Sequence, residues 1–412
     1  MKSVVLVFIL SAILVINPIQ AQVGGPCTGK IKSVFLAEDG ICSDLAMVDD
    51  WLEKLDVSNG ILLFYNVTAI TDTVALHSIL RRHIDTIIYN TPPLAANAHP
   101  LIAHNMMALR NWDVSPHPDN VHPGGDAAVP IPRPAPAPSA GLTTRQSVQP
   151  PLLTLFLGND NNFDLSHLSS DTRLMKVLKP MGIDTVVNRD NLLQGGDMLW
   201  AGNHLILGRG SLSRFSSGAI SDTAKAADSI RRFYGLSPDQ TIDFLLADDP
   251  GLYHLDLFVT YAGLNRQGKN QFFIGYIGNH DQITDTTKTK MMIADLRNLY
   301  PRLNALLTRL YPGGFQLDSV PIFKDHRFVS PLNGLTSCIN GKPTYYMPYP
   351  SGIADPPELQ TEEITTLIDR AYSIISSRIN TVKVNVDVND LMGGTVGGGQ
   401  SLHCSISVIS RE

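Results

Sequence analysis

Strand-like and helix-like segments alternate along most of this 412-residue chain, with hairpins among them, and the pattern predicts an α/β fold built on mixed sheets. Three observations carry that expectation. Short apolar runs rich in β-branched and aromatic residues recur along the chain. Stretches with helical spacing of their apolar residues separate them. Gly202-Asn203 and Asn340-Gly341 each sit between two such runs, where a tight hairpin turn belongs. The composition, 43% hydrophobic and 17% charged, is that of a chain able to bury a core.

The segments follow in order. Lys2, an apolar run over 4–16, Pro18 and Ala21 describe a secretory signal peptide over 1–21, with a run too short to span a bilayer comfortably. The mature chain is expected to be exported, soluble and without a membrane partner once the signal is cleaved. Asn66-Val67-Thr68 is a glycosylation acceptor triplet that has meaning in a eukaryotic export route. In the N-terminal part, 22–115, a strand is expected over 61–65, a helix over 73–83 and a strand over 85–89. Residues 116–151 hold ten of the 27 prolines and favour extended polyproline geometry, so they read as a linker or an insertion. The main part, 152–412, opens with a strand over 152–157, a helix over 174–181 and a strand over 185–187. A hairpin over 198–207, a helix over 222–234 and strands over 242–246, 255–261 and 272–277 come next. A long helix over 290–311, a hairpin around 340–341, a helix over 362–378 and strands over 381–388 and 405–409 complete the chain. No exact sequence repeat is visible.

Charge and cysteine content narrow the function. Lys and Arg total 32 against 38 Asp and Glu, a net charge of −6, which supplies no basic excess for a nucleic-acid partner. Four cysteines in a chain of this length exclude a disulfide-stapled scaffold. Cys27 and Cys42 are close enough in sequence to pair in an exported protein, while Cys338 and Cys404 are isolated. No CxxC pair exists, which argues against a thiolate zinc site.

Three segments place reactive or small residues beside apolar runs. The first is Gln194-Gly195-Gly196-Asp197. The second is His254-Leu255-Asp256-Leu257-Phe258; on a strand, His254 and Asp256 would share a face, a pairing suited to moving a proton next to a cation. The third is Gly397-Gly398-Gly399-Gln400-Ser401-Leu402-His403-Cys404, a glycine-rich run before a thiol. It is no P-loop, because no Gly-Lys-Ser/Thr follows. Each segment alone has an ordinary structural explanation: a turn, a satisfied polar pair, a flexible loop before a buried small side chain.

Taken together and in this order, the three segments resemble the pentein superfamily of guanidino-group-modifying enzymes, most of all the agmatine and peptidyl-arginine deiminases. The run from Ser337 to Pro348 is similar to the hairpin those proteins carry before their last helix. The resemblance covers roughly 150–412. It implies an α/β propeller of about five ββαβ-like units around a central pocket. It also implies a nucleophile at Cys404, a proton-transferring His254 and a guanidinium-holding Asp256. Asp113, in Arg110-Asn111-Trp112-Asp113, is the nearest match to a carboxylate that the family supplies from its N-terminal part. Gln194 stands where several members have an acid, and Asp197 is a second carboxylate able to serve the histidine. The activity so implied is hydrolysis of an arginine or peptidyl-arginine guanidinium to citrulline and ammonia, with no cofactor. Two alternatives keep the fold: an amidinotransferase using the same thiol, and a catalytically silent guanidinium- or protein-binding module. A papain-like arrangement is disfavoured because His254 precedes Cys404. Asp160, Asn162, Asp164 and Asp171 follow a calcium-loop register in part, but Leu165 replaces the glycine such a loop needs, so calcium is a minor expectation. His99, His104, His117 and His122 lack ligand spacing and read as exposed.

Overall fold

The computed structural model describes most of residues 195–247, 254–278, 286–324, 328–339, 342–351 and 361–387. It also describes the strand backbones at 30–36, 61–65, 86–90, 106–110, 153–158, 183–189 and 406–411, and helical positions within 49–54 and 78–82.

The described strands form five small sheets, and four of the five are built by one device. An antiparallel pair is followed by a crossover to a third strand that runs parallel to the second. β4 (Met106–Arg110) and β5 (Leu153–Gly158) are antiparallel and β6 (Ile183–Arg189) joins parallel to β5. β7 (Met198–Ala201), β8 (His204–Leu207) and β9 (Thr241–Phe244) repeat the pattern. So do β10 (Val259–Leu264), β11 (Asn270–Ile277) and β12 (Phe315–Lys324), with a short antiparallel β13 (Phe328–Val329) added at the edge. So do β14 (Leu335–Ile339), β15 (Lys342–Ser351) and β16 (Asn380–Asp387). The remaining sheet joins the two ends of the chain. β1 (Lys30–Leu36) runs parallel to β2 (Ile61–Tyr65), which runs parallel to β3 (Thr86–Asn90), and the last strand, β17 (Ile406–Arg411), pairs antiparallel with β1. The expected α/β class with mixed sheets is therefore what the chain forms. The repeat invisible in the residues is present in the backbone, because strand pairing asks for a pattern of burial and not for particular side chains.

Helices supply the crossovers in the last three of these units. α1 (Arg209–Phe215) and α2 (Thr223–Tyr234) lie between β8 and β9. Ala226, Ile230 and Tyr234 recur every fourth residue of α2 and are its buried face, while Arg231 and Arg232 in the last turn complement the helix dipole. α3 (Thr286–Leu310) lies between β11 and β12; Leu296, Leu299, Leu303, Leu306 and Leu307 form its buried stripe. Its Pro301 is exposed and removes one N–H from the helix ladder. α4 (Thr361–Arg378) lies between β15 and β16 and buries Ile364, Ile368, Ala371 and Ile375. The faces of α3 and α4 meet Phe258, Phe272, Phe273, Val320, Tyr345 and Tyr346 in one apolar cluster. A second cluster fills the space between β7, β8 and α2 around Trp200, Leu205, Leu212 and Ile230.

One expected strand has a different start. Over 255–261 the chain first makes a 3-10 turn at Leu255–Leu257, closed by Phe258 N–H donating to the Leu255 carbonyl at 3.0 Å, and only then enters β10. The turn buries Leu255, Asp256, Leu257 and Phe258 in succession, all at 6% exposure or less, and β10 continues that run from Val259 to Gly263. The bond from Phe258 N–H to the Leu255 carbonyl is what delays the strand.

Candidate active site

Two 3-10 turns from different sheets meet at the edge of the core. One, Gly195–Asp197, leads into β7; the other, Leu255–Leu257, leads into β10, and the two pack together. His254 caps the second turn in extended conformation (φ −115°, ψ 122°) and is half-buried. Asp256, inside the turn, is 6% exposed.

Gly196 is the floor on which these two side chains rest. A Cβ built there would stand 2.7 Å from His254 Nδ1, 2.9 Å from its Cγ and 3.1 Å from Asp256 Oδ1. The imidazole and the carboxylate thus share one small space, although the strand geometry expected to place them side by side is absent. Glycine is required at 196 by this close approach of the backbone.

Asp197 points the other way. It is 1% exposed, and its Oδ2 accepts the Ser211 backbone N–H at 2.5 Å, while its own carbonyl accepts Gly208 N–H at 3.0 Å. The carboxylate therefore fixes the first turn of α1 where that helix leaves β8. A Cβ at Gly208 would fall within 1.7 Å of Asp197 Oδ1, so this turn closes only around glycine.

A third segment reaches the site from beyond β13. Asn333, 0% exposed, donates from Nδ2 to Asp256 Oδ2 at 2.7 Å. Its loop is tied to β15: Tyr345 donates from its hydroxyl to the Pro331 carbonyl at 2.9 Å and accepts from Gly334 N–H at 3.1 Å. Burial raises the Tyr345 phenol well above its usual range; hydrogen bonds involving Gly334 and Thr260 oppose this, and the nearby Asp256 adds to it. Tyr345 stays a neutral donor.

Of the six residues singled out in the sequence, the structure brings His254 and Asp256 together and sets Asp197 next to their glycine floor. Cys404, Gln194 and Asp113 lie outside the described residues, as do Asp160, Asn162, Asp164 and Asp171 of the calcium register. In sequence Cys404 stands just before β17, and Asp113 just after β4. Among the described residues no group of three or more His, Cys, Asp or Glu side chains is placed to hold a metal ion. No described helix is long and apolar enough to cross a membrane. Sequence reasoning missed Asn333, Gly208 and Tyr345. Pro331-Leu332-Asn333-Gly334 carries a turn signal, but nothing local reveals a carboxylate partner 77 residues away.

No protein-family model and no curated protein matches the sequence. Solved structures do resemble it. The agmatine deiminase of C. jejuni is similar over 94% of this chain and 96% of its own, with a TM-score of 0.51 and 12% sequence identity. The DDAH of Pseudomonas aeruginosa, solved as a cysteine-to-serine mutant complexed with citrulline, covers 60% of this chain and 70% of its own, at a TM-score of 0.28 and 11% identity. The class is thereby defined: a fold shared along nearly its whole length with a deiminase. That fold is the pentein fold which the Gly-Gly-Asp, His-x-Asp and His-Cys segments led one to expect.

Proposed function

We propose that the chain is an exported, cysteine-dependent deiminase. It hydrolyses the guanidinium of arginine or of an arginine-containing protein to citrulline and ammonia. The observation that carries this reading is the shared seat of His254 and Asp256 on Gly196, within a fold common to an agmatine deiminase. On this reading the five sheets are arranged as a propeller around a central pocket, and Cys404, Asp113 and Gln194 complete the site.

The chemistry asks one task of each group. A guanidinium is a planar cation with N–H donors at its rim and a weakly electrophilic carbon. Asp256, with Asp113, accepts those donors by charge-assisted hydrogen bonds and holds the plane. The Cys404 thiolate attacks the central carbon, forming a C–S bond. His254 protonates one amino nitrogen, which leaves as ammonia with the electrons of its C–N bond. A thiouronium remains on the sulfur. Water then attacks the same carbon, giving one proton to His254, and the C–S bond breaks to return the thiolate and release the ureido product as the second proton passes to solvent. Water is consumed and ammonia released, one for one. Gln194 and Asp197 serve the histidine and the turn beneath it.

The test is ammonia and citrulline release from arginine derivatives and arginine-containing peptides by the mature protein. Cys404→Ala is expected to abolish it while the unfolding transition is retained; undiminished turnover in that variant ends the proposal. Export is tested separately. Expressed in a secreting host, the protein is expected in the medium with its N-terminus cut near residue 21, and retention of the intact leader inside the cell contradicts it.

A further inference from the structure

We propose that Asn333 is a positioning residue for Asp256, and that the loop 330–334 is braced so that one amide N–H meets one oxygen of that carboxylate. This rests on the reading of Asp256 as the guanidinium holder, and goes beyond it by naming what sets the carboxylate plane.

The contact has the marks of a built one. Donor and acceptor are both buried, at 0% and 6% exposure, and 2.7 Å is the short end of the N–H···O range expected for an ionised acceptor. The loop that delivers Asn333 is fixed at several points. Leu332 N–H donates to Ser330 Oγ at 3.1 Å, and the Tyr345 hydroxyl bridges Gly334 N–H and the Pro331 carbonyl. Gly334 lies so close to β15 that a Cβ there would come within 2.3 Å of the Tyr346 carbonyl oxygen. The amide therefore rides on a buried strand and not on a loose loop.

What this does to Asp256 follows from geometry. A carboxylate has about four lone-pair positions, and Asn333 uses one on Oδ2. Fixing Oδ2 fixes rotation about Cβ–Cγ, and so places Oδ1 over Gly196, on the side of His254 Nδ1. A planar guanidinium gains from two carboxylate contacts only when the two planes agree, so a preset plane raises affinity without the ligand ordering the site. An amide sets that plane without adding positive charge of its own to compete with a cationic ligand. The interaction exists before and after the chemical step, so its loss falls on substrate binding more than on turnover.

The experiment compares the whole mature protein with its Asn333→Leu and Asn333→Asp variants. In ligand-free protein the Asp256 carboxyl is titrated by carbon NMR. The titratable neighbours to be fitted with it are His254, Asp197 beside Gly196, and Tyr345 on β15. Loss of the donor in Asn333→Leu is expected to raise the Asp256 midpoint by about one pH unit or more. With a guanidine substrate, kcat/KM is expected to fall roughly 10- to 100-fold, mostly through KM. Asn333→Asp keeps the shape but pairs two carboxylates. It is expected to lose binding at neutral pH and regain part of it on acidification, as one shared proton restores a donor. An Asp256 midpoint unmoved by Asn333→Leu overturns the inference, as does a variant that loses stability with KM unchanged. If Asn333→Leu fails to fold, the isosteric Asn333→Asp carries the test by its acid recovery; no recovery overturns the inference. The titration needs no turnover. An Asp256 that responds to Asn333 in a protein that hydrolyses no guanidine would refute the proposed activity and leave the positioning intact.

Discussion

Two glycines separate the chemistry of the site from its construction. Gly196 has His254 and Asp256 where a Cβ would go, and Gly208 has the carboxylate of Asp197 there. Neither has a φ in the left-handed region, so both are held to glycine by space and not by backbone conformation. An added methyl at each should therefore act differently. Gly208→Ala pushes on a buried carboxylate that fixes the start of α1, and is expected to destabilise by about 1–3 kcal/mol in urea unfolding. Gly196→Ala pushes on side chains at the mouth of the site, where a half-buried imidazole is able to turn aside. It is expected to cost much less stability while displacing His254 from Asp256, and so to lower kcat at least tenfold on the proposed substrates. Equal effects of the two changes on both measurements would contradict the division of labour between the two glycines. His254 and Asp256 were legible in the sequence because they lie two positions apart in one short segment. Asn333 was not, because its meaning depends on a partner brought in by a different sheet.

At the scale of elements, the junction of β8 and β9 is expected to respond to acid through His204. His204 donates or accepts through Nδ1 with Thr241 Oγ1 at 2.8 Å, lies edge-on to the Tyr311 ring at 4.9 Å, and is about half buried. Burial lowers its pKa below the usual 6.5; Asp243 opposes that, and Arg309, itself 2.8 Å from Asp243, adds to it. The sign follows directly. The unfolded chain binds this proton more readily than the folded one, so the contribution is fully present above the unfolded value and is lost as pH falls from about 6.5 through the folded pKa. The midpoint of urea unfolding is expected to drop as pH falls below about 6.5, and His204→Gln should flatten that part of the profile. A profile that is the same in the variant would place the acid sensitivity elsewhere. The elements themselves were legible to different degrees. The hairpin at Gly202-Asn203 was plain, because β7 and β8 flank a glycine with φ 62° that a tight turn demands. The helices α2, α3 and α4 were plain from their leucine, isoleucine and alanine spacing. β12 was not, since Gln316, Asp318, Ser319 and Pro321 interrupt its apolar alternation. Its polar residues have tertiary uses instead: Asp318 takes a two-point contact from Arg378 and an amide N–H from Gln271. A strand that spends its side chains on a polar network with other elements cannot show the period by which strands are found.

At the scale of the molecule, the two ends of the chain meet in one sheet. β17 supplies the antiparallel neighbour of β1, and β1 in turn packs against β14, the strand that follows Asn333. The sheet unit that is made last in the sequence order of the others is thus made from the first and last strands together. On the proposed reading this closure bears on the site, because Cys404 stands two positions before β17 in the sequence. A chain ending at Ser405 keeps every proposed catalytic residue and lacks only the closing strand. It is expected to unfold at lower urea and with a shallower slope, since β1 loses its antiparallel neighbour and becomes the edge of its sheet. It should also lose selective labelling of Cys404 by an amidine-bearing electrophile, although the thiol is still present. A truncated chain that retains both the wild-type transition and the wild-type labelling would show that β17 is dispensable. The thiol would then be held by the residues before it, and the pairing of β17 with β1 would have no part in assembling the proposed site.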